Sequence, residues 1–281
     1  MVFFIALWDT KYFKLQAMIN KENLKRDLAA VREKSPLVHN ITNYVAMNFS
    51  ANALLALGAS PVMAHAADEV AEMAGIAGAL VINIGTLDAE WVRSMLIAGK
   101  AKRAAGGVVV LDPVGAGATT YRTTTAWQII EECRPDIIRG NASEIMALVN
   151  SDVKSKGVDS SCGSAAAVES AKILATRTGA VVVVSGETDY ITDGVRIETL
   201  RNGSPMMPSV TAMGCTASSV VGTFAAVNND AFEAALHAMA LMGVAGELAA
   251  KGVAGSGSLL TAFVDTLYNI TGDELVETVK Q

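Results

Sequence analysis

Cysteine is scarce in this chain. Three occur among 281 residues, Cys133, Cys162 and Cys215, with no CxxC pair and no Cys/His spacing suited to zinc. An odd, sparse set excludes a disulfide framework and points to a reducing, cytoplasmic compartment. Charge is also scarce, at 18% of residues, with a net charge of −6 and no basic run. A nucleic-acid partner recognised through a basic footprint is therefore not expected. No apolar run reaches ~18 residues, so no membrane-spanning helix and no membrane partner are expected. The stretch Met1 to Trp8 is apolar but lacks a basic leader and runs into Asp9 and Lys11. It makes a poor signal peptide. There is no GxxxxGK[ST] loop and no GxGxxG opening the first strand–helix unit. P-loop and Rossmann dinucleotide sites are thereby excluded.

Hydrophobic residues make up 51% of the chain. Such a composition fits a large core, a sheet covered on both faces, or an oligomer. Four apolar runs read as buried strands: Ala79 to Ile84, Val108 to Leu111, Asp136 to Arg139, and Ala180 to Val184. Helical patterns over about 88–105, 142–150 and 164–178 lie between and after them. Strand–helix–strand repetition predicts an α/β fold with a mostly parallel sheet and right-handed crossovers. Tyr190-Ile191-Thr192 and Val195-Arg196-Ile197 flank Asp193-Gly194 and predict a hairpin. From Ala217 onward the chain reads as helices. No linker or repeat divides it, so one domain over 18–281 is expected. A polar helical pattern begins after Met18, and residues 1–17 read as an N-terminal extension.

In open parallel sheets, ligands bind beyond the carboxyl ends of the strands. Those ends here carry Asp112-Pro113-Val114-Gly115-Ala116-Gly117, Arg139-Gly140-Asn141-Ala142-Ser143-Glu144, and Ser185-Gly186-Glu187-Thr188-Asp189. Glycines let backbone N–H groups approach phosphates, Arg and hydroxyls grip them, and Asp or Glu can hold Mg²⁺. Each segment alone has a plain structural reading as a turn or a helix cap. Three at successive strand ends favour a phosphate site. Val210 to Thr216 adds a fourth piece, in which Gly214 is expected to make a sharp turn ahead of a small-residue helix. The N–H groups and dipole of that helix would face an anionic oxygen, with Cys215 in the mouth of the hole. The alternative there is a buried, inert Cys.

These segments, with Pro36 to Asn43, Leu54 to Met63 and Ile82 to Leu87, resemble the hydroxyethylthiazole kinases of the ribokinase-like superfamily. The likeness runs from Ser35 to about Gly257. It implies a ribokinase-like α/β fold with helices on both faces of the sheet, and a homotrimer with active sites at subunit interfaces. It also implies ATP-dependent phosphorylation of the alcohol of 4-methyl-5-(2-hydroxyethyl)thiazole, a small-molecule substrate of thiamine salvage. By the resemblance, Cys215 stands where most ribokinase-like enzymes carry a catalytic Asp, and Gly214 belongs to the anion hole beside it. Asp112 and Glu144 match acidic residues associated with Mg²⁺. Arg139, Ser185 and Asn141 match the nucleotide-phosphate region, with Ser185 in place of the usual Thr. Met63, Ala212, His39 and Asn43 match the substrate pocket. For Met63 the alternative is a core residue, and for His39 a satisfied structural histidine.

One position departs from the pattern: the family commonly carries Gly where this chain has Ala212. A positive φ there would cost on the order of 1 kcal/mol or more. Two rival readings remain. A kinase of the same superfamily acting on hydroxymethylpyrimidine or a sugar would carry Asp at position 215. A non-catalytic nucleotide-binding or thiamine-sensing protein would be free to lose Asp112, Glu144 and Arg139, which this chain retains.

Overall fold

The computed structural model describes residues 19–150 and 164–281. The expected extension at residues 1–17 and Cys162 fall outside them. Along the described residues the chain runs α1 (Lys21–Lys34), β1 (Leu37–Ile41), α2 (Met47–Leu57), β2 (Ser60–Val62), α3 (Val70–Ile76) and β3 (Ala79–Asn83). It continues through α4 (Ala89–Ala104), β4 (Val108–Asp112), α5 (Thr120–Cys133), β5 (Ile137–Asn141), α6 (Ala142–Val149) and α7 (Ser164–Thr178). Strands β6 (Val181–Ser185), β7 (Asp189–Thr192) and β8 (Ile197–Leu200) follow, then α8 (Met213–Ala225), α9 (Ala231–Ala249), α10 (Ser256–Asn269) and α11 (Gly272–Thr278).

The eight strands form one sheet in the order β2-β1-β3-β4-β5-β6-β7-β8. Strands β1 to β6 pair in parallel. β7 and β8 add an antiparallel edge. The four apolar runs read from sequence are β3 to β6, and the expected hairpin is β7–β8, its second strand starting two residues later than predicted. Strands β1 and β2 carry His39, Asn40 and Pro61, and these polar and turn-forming residues hide them from a search for apolar runs. Helix starts are locally encoded. The Asn20, Asp88, Thr119, Asp230 and Thr271 side chains each accept a first-turn N–H.

The strand period of two sorts the core into two layers. Val38, Val81, Val110, Ile137, Val181 and Val183 face α1, α2, α8, α9 and α10. Leu80, Ile82, Val109, Leu111, Ile138 and Val182 face α3 to α7. Helix α9 is long and apolar enough by composition to cross a membrane, yet 78% of that stretch is buried inside the fold. Such a helix belongs to the core of a sheet-and-helix layer. Gly222 of α8 lies so close to β3 that a Cβ there would overlap the Val81 side chain. That contact draws α8 down onto the sheet and brings its start to the strand ends.

Candidate active site

The same period of two builds the site. Two residues beyond Val81, Val110, Ile137 and Val183 on the α8 face stand Asn83, Asp112, Arg139 and Ser185, each at or near the carboxyl end of its strand. Register sets Asn83 beside Asp112 and Asn141 beside Ser185. The start of α8 crosses above them.

That start differs from the expected turn in a specific way. Gly214 lies within the helix, which begins at Met213, and the left-handed residue is Ala212, at φ 66° and ψ 0°. Ala212 offers no side-chain cap. The first α-helical bond runs from Thr216 N–H to the Ala212 carbonyl at 2.8 Å. Gly214 and Cys215 precede it, so their N–H groups belong to the unpaired donors of a helix start. The need for glycine at 214 is steric: a Cβ there would stand 3.0 Å from Arg139 Nη1.

Arg139 is held in place by neutral acceptors. Nη1 donates to the Gly214 carbonyl at 3.1 Å and Nη2 to Ser185 Oγ at 2.5 Å, while Nε is buried without a partner. No carboxylate lies within salt-bridge distance of this guanidinium among the described residues. A nine-tenths buried cation without a direct counter-ion leaves its charge available to an incoming anion.

Asp112 lies opposite, 1% exposed. Its Oδ2 accepts from Asn83 Nδ2 at 2.8 Å and from Ser218 Oγ at 2.7 Å, and its Oδ1 is buried without a partner. Burial pushes its carboxyl up to about 7, the Glu144 charge adds to that, and Arg139, Ser218 and Asn83 oppose it. Such a carboxylate gains from a cation or a proton. Glu144 is committed elsewhere. Its Oε1 accepts from Gly115 N–H and its Oε2 from Asn141 N–H, both at 2.8 Å, which closes a capping box on α6 and ties in the Asp112–Gly117 loop. No cluster of three or more acidic, His or Cys side chains gathers among the described residues. The donor set suits Mg²⁺, which keeps waters and substrate phosphates as ligands and needs only one or two protein oxygens. Asp112 Oδ1 is the protein oxygen that fits.

Cys215 is half-buried, and its sulfur accepts from Asn43 Nδ2 at 3.2 Å. Burial and the nearby Asp112 charge hold the thiol above its usual range, against Asn43, Asn83 and Arg139. At neutral pH it is a thiol, and a thiol is a weak general base. Next to Ser185, a cavity of about 830 Å³ opens between the β6–β7 turn, the 201–208 segment, α8 and α9. Arg139, Asn141, Ser185 and Gly186 line one part, and Met207, Pro208, Met239 and Met242 another. Asp189 also lines it, its carboxyl raised to about 6 by burial.

The structure thus brings together Gly214, Cys215, Asn43, Asp112, Arg139, Ser185 and, through its cap, Asn141 with Glu144. Met63 and His39 stand one or two strands toward the sheet edge. Met63 follows β2 and is partly exposed. His39 is fully buried on β1, and its Nε2–H donates to the Ala64 carbonyl at 2.8 Å, which fixes the segment after Met63. Burial holds its imidazole below the usual range, so it acts as a neutral structural group. Sequence reading missed Asn83, Ser218 and Arg122. Asn83 was visible as the one amide inside the apolar run of β3. Arg122 Nη1 and Nη2 donate to the carbonyls of Ile84, Val114 and Gly85, clamping the loops after β3 and β4.

A model of the hydroxyethylthiazole kinase family matches residues 28–273. The chain is 53% identical over 253 residues to hydroxyethylthiazole kinase of Nitratidesulfovibrio vulgaris strain DP4, covering 90% of this chain and 95% of that one. It superposes on the structure of the hydroxyethylthiazole kinase protein of Pyrococcus horikoshii OT3 with a TM-score of 0.86. That pair is 40% identical and covers 92% and 98% of the two chains. Pyridoxal kinase of Staphylococcus aureus, at 16% identity, a TM-score of 0.58, and coverage of 75% and 88%, shares the fold.

Proposed function

The chain belongs to the hydroxyethylthiazole kinase family, and from that premise we propose how its site phosphorylates 4-methyl-5-(2-hydroxyethyl)thiazole with Mg-ATP. The observation that carries the reading is the buried Arg139 guanidinium, held by neutral acceptors against the start of α8 with its Nε unpartnered, and Asp112 on the adjacent strand.

The nucleotide occupies the 830 Å³ cavity. Its base and ribose lie toward Met207, Pro208, Met239 and Met242, and its phosphates toward Ser185, Asn141 and Arg139. Mg²⁺, held by Asp112 with Glu144 adding negative charge nearby, would neutralise the phosphates. The thiazole alcohol lies between Met63 and the Asn43–Cys215 pair, beside Ala212. Its hydroxyl is set in line by Cys215, acting as a positioning group. As the phosphoryl group moves, negative charge grows on its equatorial oxygens. The N–H groups of Gly214 and Cys215 and the Arg139 guanidinium meet that charge, already oriented before the reaction. The transferring group is largely dissociated when the new bond forms, so the alcohol needs little help from a base: its proton is lost late, to a transferred-phosphoryl oxygen or to water, as ADP leaves on the opposite side.

Tyr44 and Val45 follow Asn43 directly and are 59% and 64% exposed. Large apolar side chains so exposed at the rim of a site support the homotrimer, with a neighbouring subunit covering each thiazole pocket. We read residues 18–281 as one cytoplasmic kinase domain with residues 1–17 as an extension.

The test is direct. The purified protein is incubated with Mg-ATP and hydroxyethylthiazole, and phosphorylated thiazole is followed by mass spectrometry, with hydroxymethylpyrimidine as control acceptor. Thiazole-dependent transfer is expected. Transfer to the pyrimidine alone, or to neither alcohol, would overturn the substrate assignment.

A further inference from the structure

Asn83 links the two halves of the site, bonded to Asp112 on one side and to Asn43 on the other. Its amide orientation is fixed without ambiguity. The Gly85 backbone N–H donates to Asn83 Oδ1 at 2.9 Å, so that atom is the oxygen, and Nδ2 faces Asp112 Oδ2 at 2.8 Å. Asn43 is fixed in the same way by the Ala46 N–H, which donates to its Oδ1 at 3.0 Å. Both Asn43 amide hydrogens are then committed. One goes to Asn83 Oδ1 at 2.9 Å, the other to Cys215 Sγ at 3.2 Å. Every link of the chain Asp112–Asn83–Asn43–Cys215 therefore has a fixed direction: Asn43 donates one hydrogen to the Cys215 sulfur and the other to Asn83, and Asn83 donates onward to the Asp112 carboxylate. The first three members of the chain are buried. Unpaired amides at that depth would be costly, which keeps the chain closed.

We propose that Asn83 is a positioning residue for phosphoryl transfer: by bridging Asp112 and Asn43 it aims an amide N–H at the Cys215 sulfur. With an N–H on the sulfur, the thiol lone pairs are engaged on that side, and the S–H is directed away from Asn43. Asn83 touches neither substrate. It acts mainly through Asn43, whose amide nitrogen lies 3.2 Å from the Cys215 sulfur, and its own amide stands near enough to the sulfur to favour the thiolate as well. The close packing agrees, since a Cβ on Gly85 would overlap the Asn43 amide.

The proposal rests on the kinase reading above, and its test has one arm that needs no turnover. Asn83→Ala, Asn43→Ala and the double variant are compared. For Asn83→Ala, kcat is expected to fall about tenfold, the loss of one buried hydrogen-bond link, with KM for Mg-ATP little changed. The double variant is expected to be slowed far less than the product of the two single losses, because Asn83 acts mainly through Asn43. In parallel, alkylation of Cys215 by iodoacetamide is followed against pH by peptide mass spectrometry. Loss of the N–H on sulfur is expected to move its midpoint upward by about half a unit or more in both single variants. Asn83→Ser, which keeps an acceptor for Asn43, replaces Asn83→Ala if that variant does not fold, and is expected to shift the midpoint less than Asn43→Ala. Additive losses in the double variant, or an unmoved alkylation midpoint, would overturn the proposal. A wild-type protein that phosphorylates no thiazole would defeat the activity reading alone, and the alkylation arm would still decide the role of Asn83.

Discussion

A single methyl group, the Cβ of Ala212, sits at an awkward point of the backbone. Ala212 adopts φ 66°, where L-residues other than Gly, Asn and Asp are rare, at a cost of about 1–2 kcal/mol. The departure from the family glycine noted in the sequence is therefore strain in the structure. Ala212→Gly is expected to raise stability by about 1 kcal/mol, read as an upward shift in Tm, while keeping the fold of α8. A fall in Tm would contradict the strain reading. Gly214 needs glycine for another reason, the 3.0 Å approach of Arg139. Gly214→Ala is expected to leave Tm close to wild type, since Ala favours a helix, and to cut kcat by displacing the guanidinium. Asp112 gives a pH signature. Its folded value of about 7 lies above the ordinary 3.8, so the folded protein binds the extra proton between those limits and stability falls as pH rises through them. Asn at 112 keeps an acceptor for Asn83 and Ser218 and removes the buried charge. In metal-free buffer, Asp112→Asn is expected to melt above wild type at pH 8, with the gap closing below pH 4. Its kinase activity is expected to be lost. A variant that melts below wild type at pH 8 would contradict this balance of burial against partners.

At the scale of elements, the site is a consequence of strand period and register. Val81, Val110, Ile137 and Val183 were legible as apolar runs, and two residues past each one stands a site residue on the same face. That is why Asp112, Arg139 and Ser185 could be placed at strand ends from sequence. The start of α8 was less legible. Sequence reading began the helix at Ala217 and gave the turn to Gly214, because glycine is the usual signal for it. Tertiary packing, with Gly222 against Val81, instead draws the helix in a turn earlier and leaves the left-handed residue to Ala212. The partners of Asp112 were hidden for a simpler reason. Asn83 and Ser218 lie 29 and 106 residues from it along the chain, and only the fold brings them there. Arg122 was hidden likewise, since its acceptors are backbone carbonyls of two loops. Arg122→Ala is expected to loosen both loops together. Hydrogen exchange at Ile84–Gly85 and Val114–Gly115 should speed up in step, with the α8 amides unaffected. Protection unchanged in either loop would contradict the clamp.

At the scale of the molecule, the parallel sheet with an antiparallel edge and two helical layers gives the family fold, and it puts anion-binding groups on one rim. Among the described residues, the proposed phosphate side of that rim is drawn from one chain, with Arg139, Ser185 and the start of α8 in mutual contact. The side proposed for thiazole is more open, with Tyr44 and Val45 exposed and Met63 half-covered. The chain is expected to be trimeric in solution by light scattering. Tyr44→Lys with Val45→Lys is expected to weaken both the trimer and the affinity for thiazole while sparing Mg-ATP binding. A monomeric wild type with full activity would contradict the shared pocket. In the proposed mechanism, catalysis rests on the anion cradle of Arg139 and α8, and the Cys215 thiol positions the alcohol. The measurement that addresses it most directly is kcat of Cys215→Asp with Mg-ATP and hydroxyethylthiazole. A carboxylate can accept the Asn43 N–H and is a stronger base than a neutral thiol. Turnover is therefore expected to be kept or raised, and loss of essentially all turnover would mean that the thiol performs a step a carboxylate cannot.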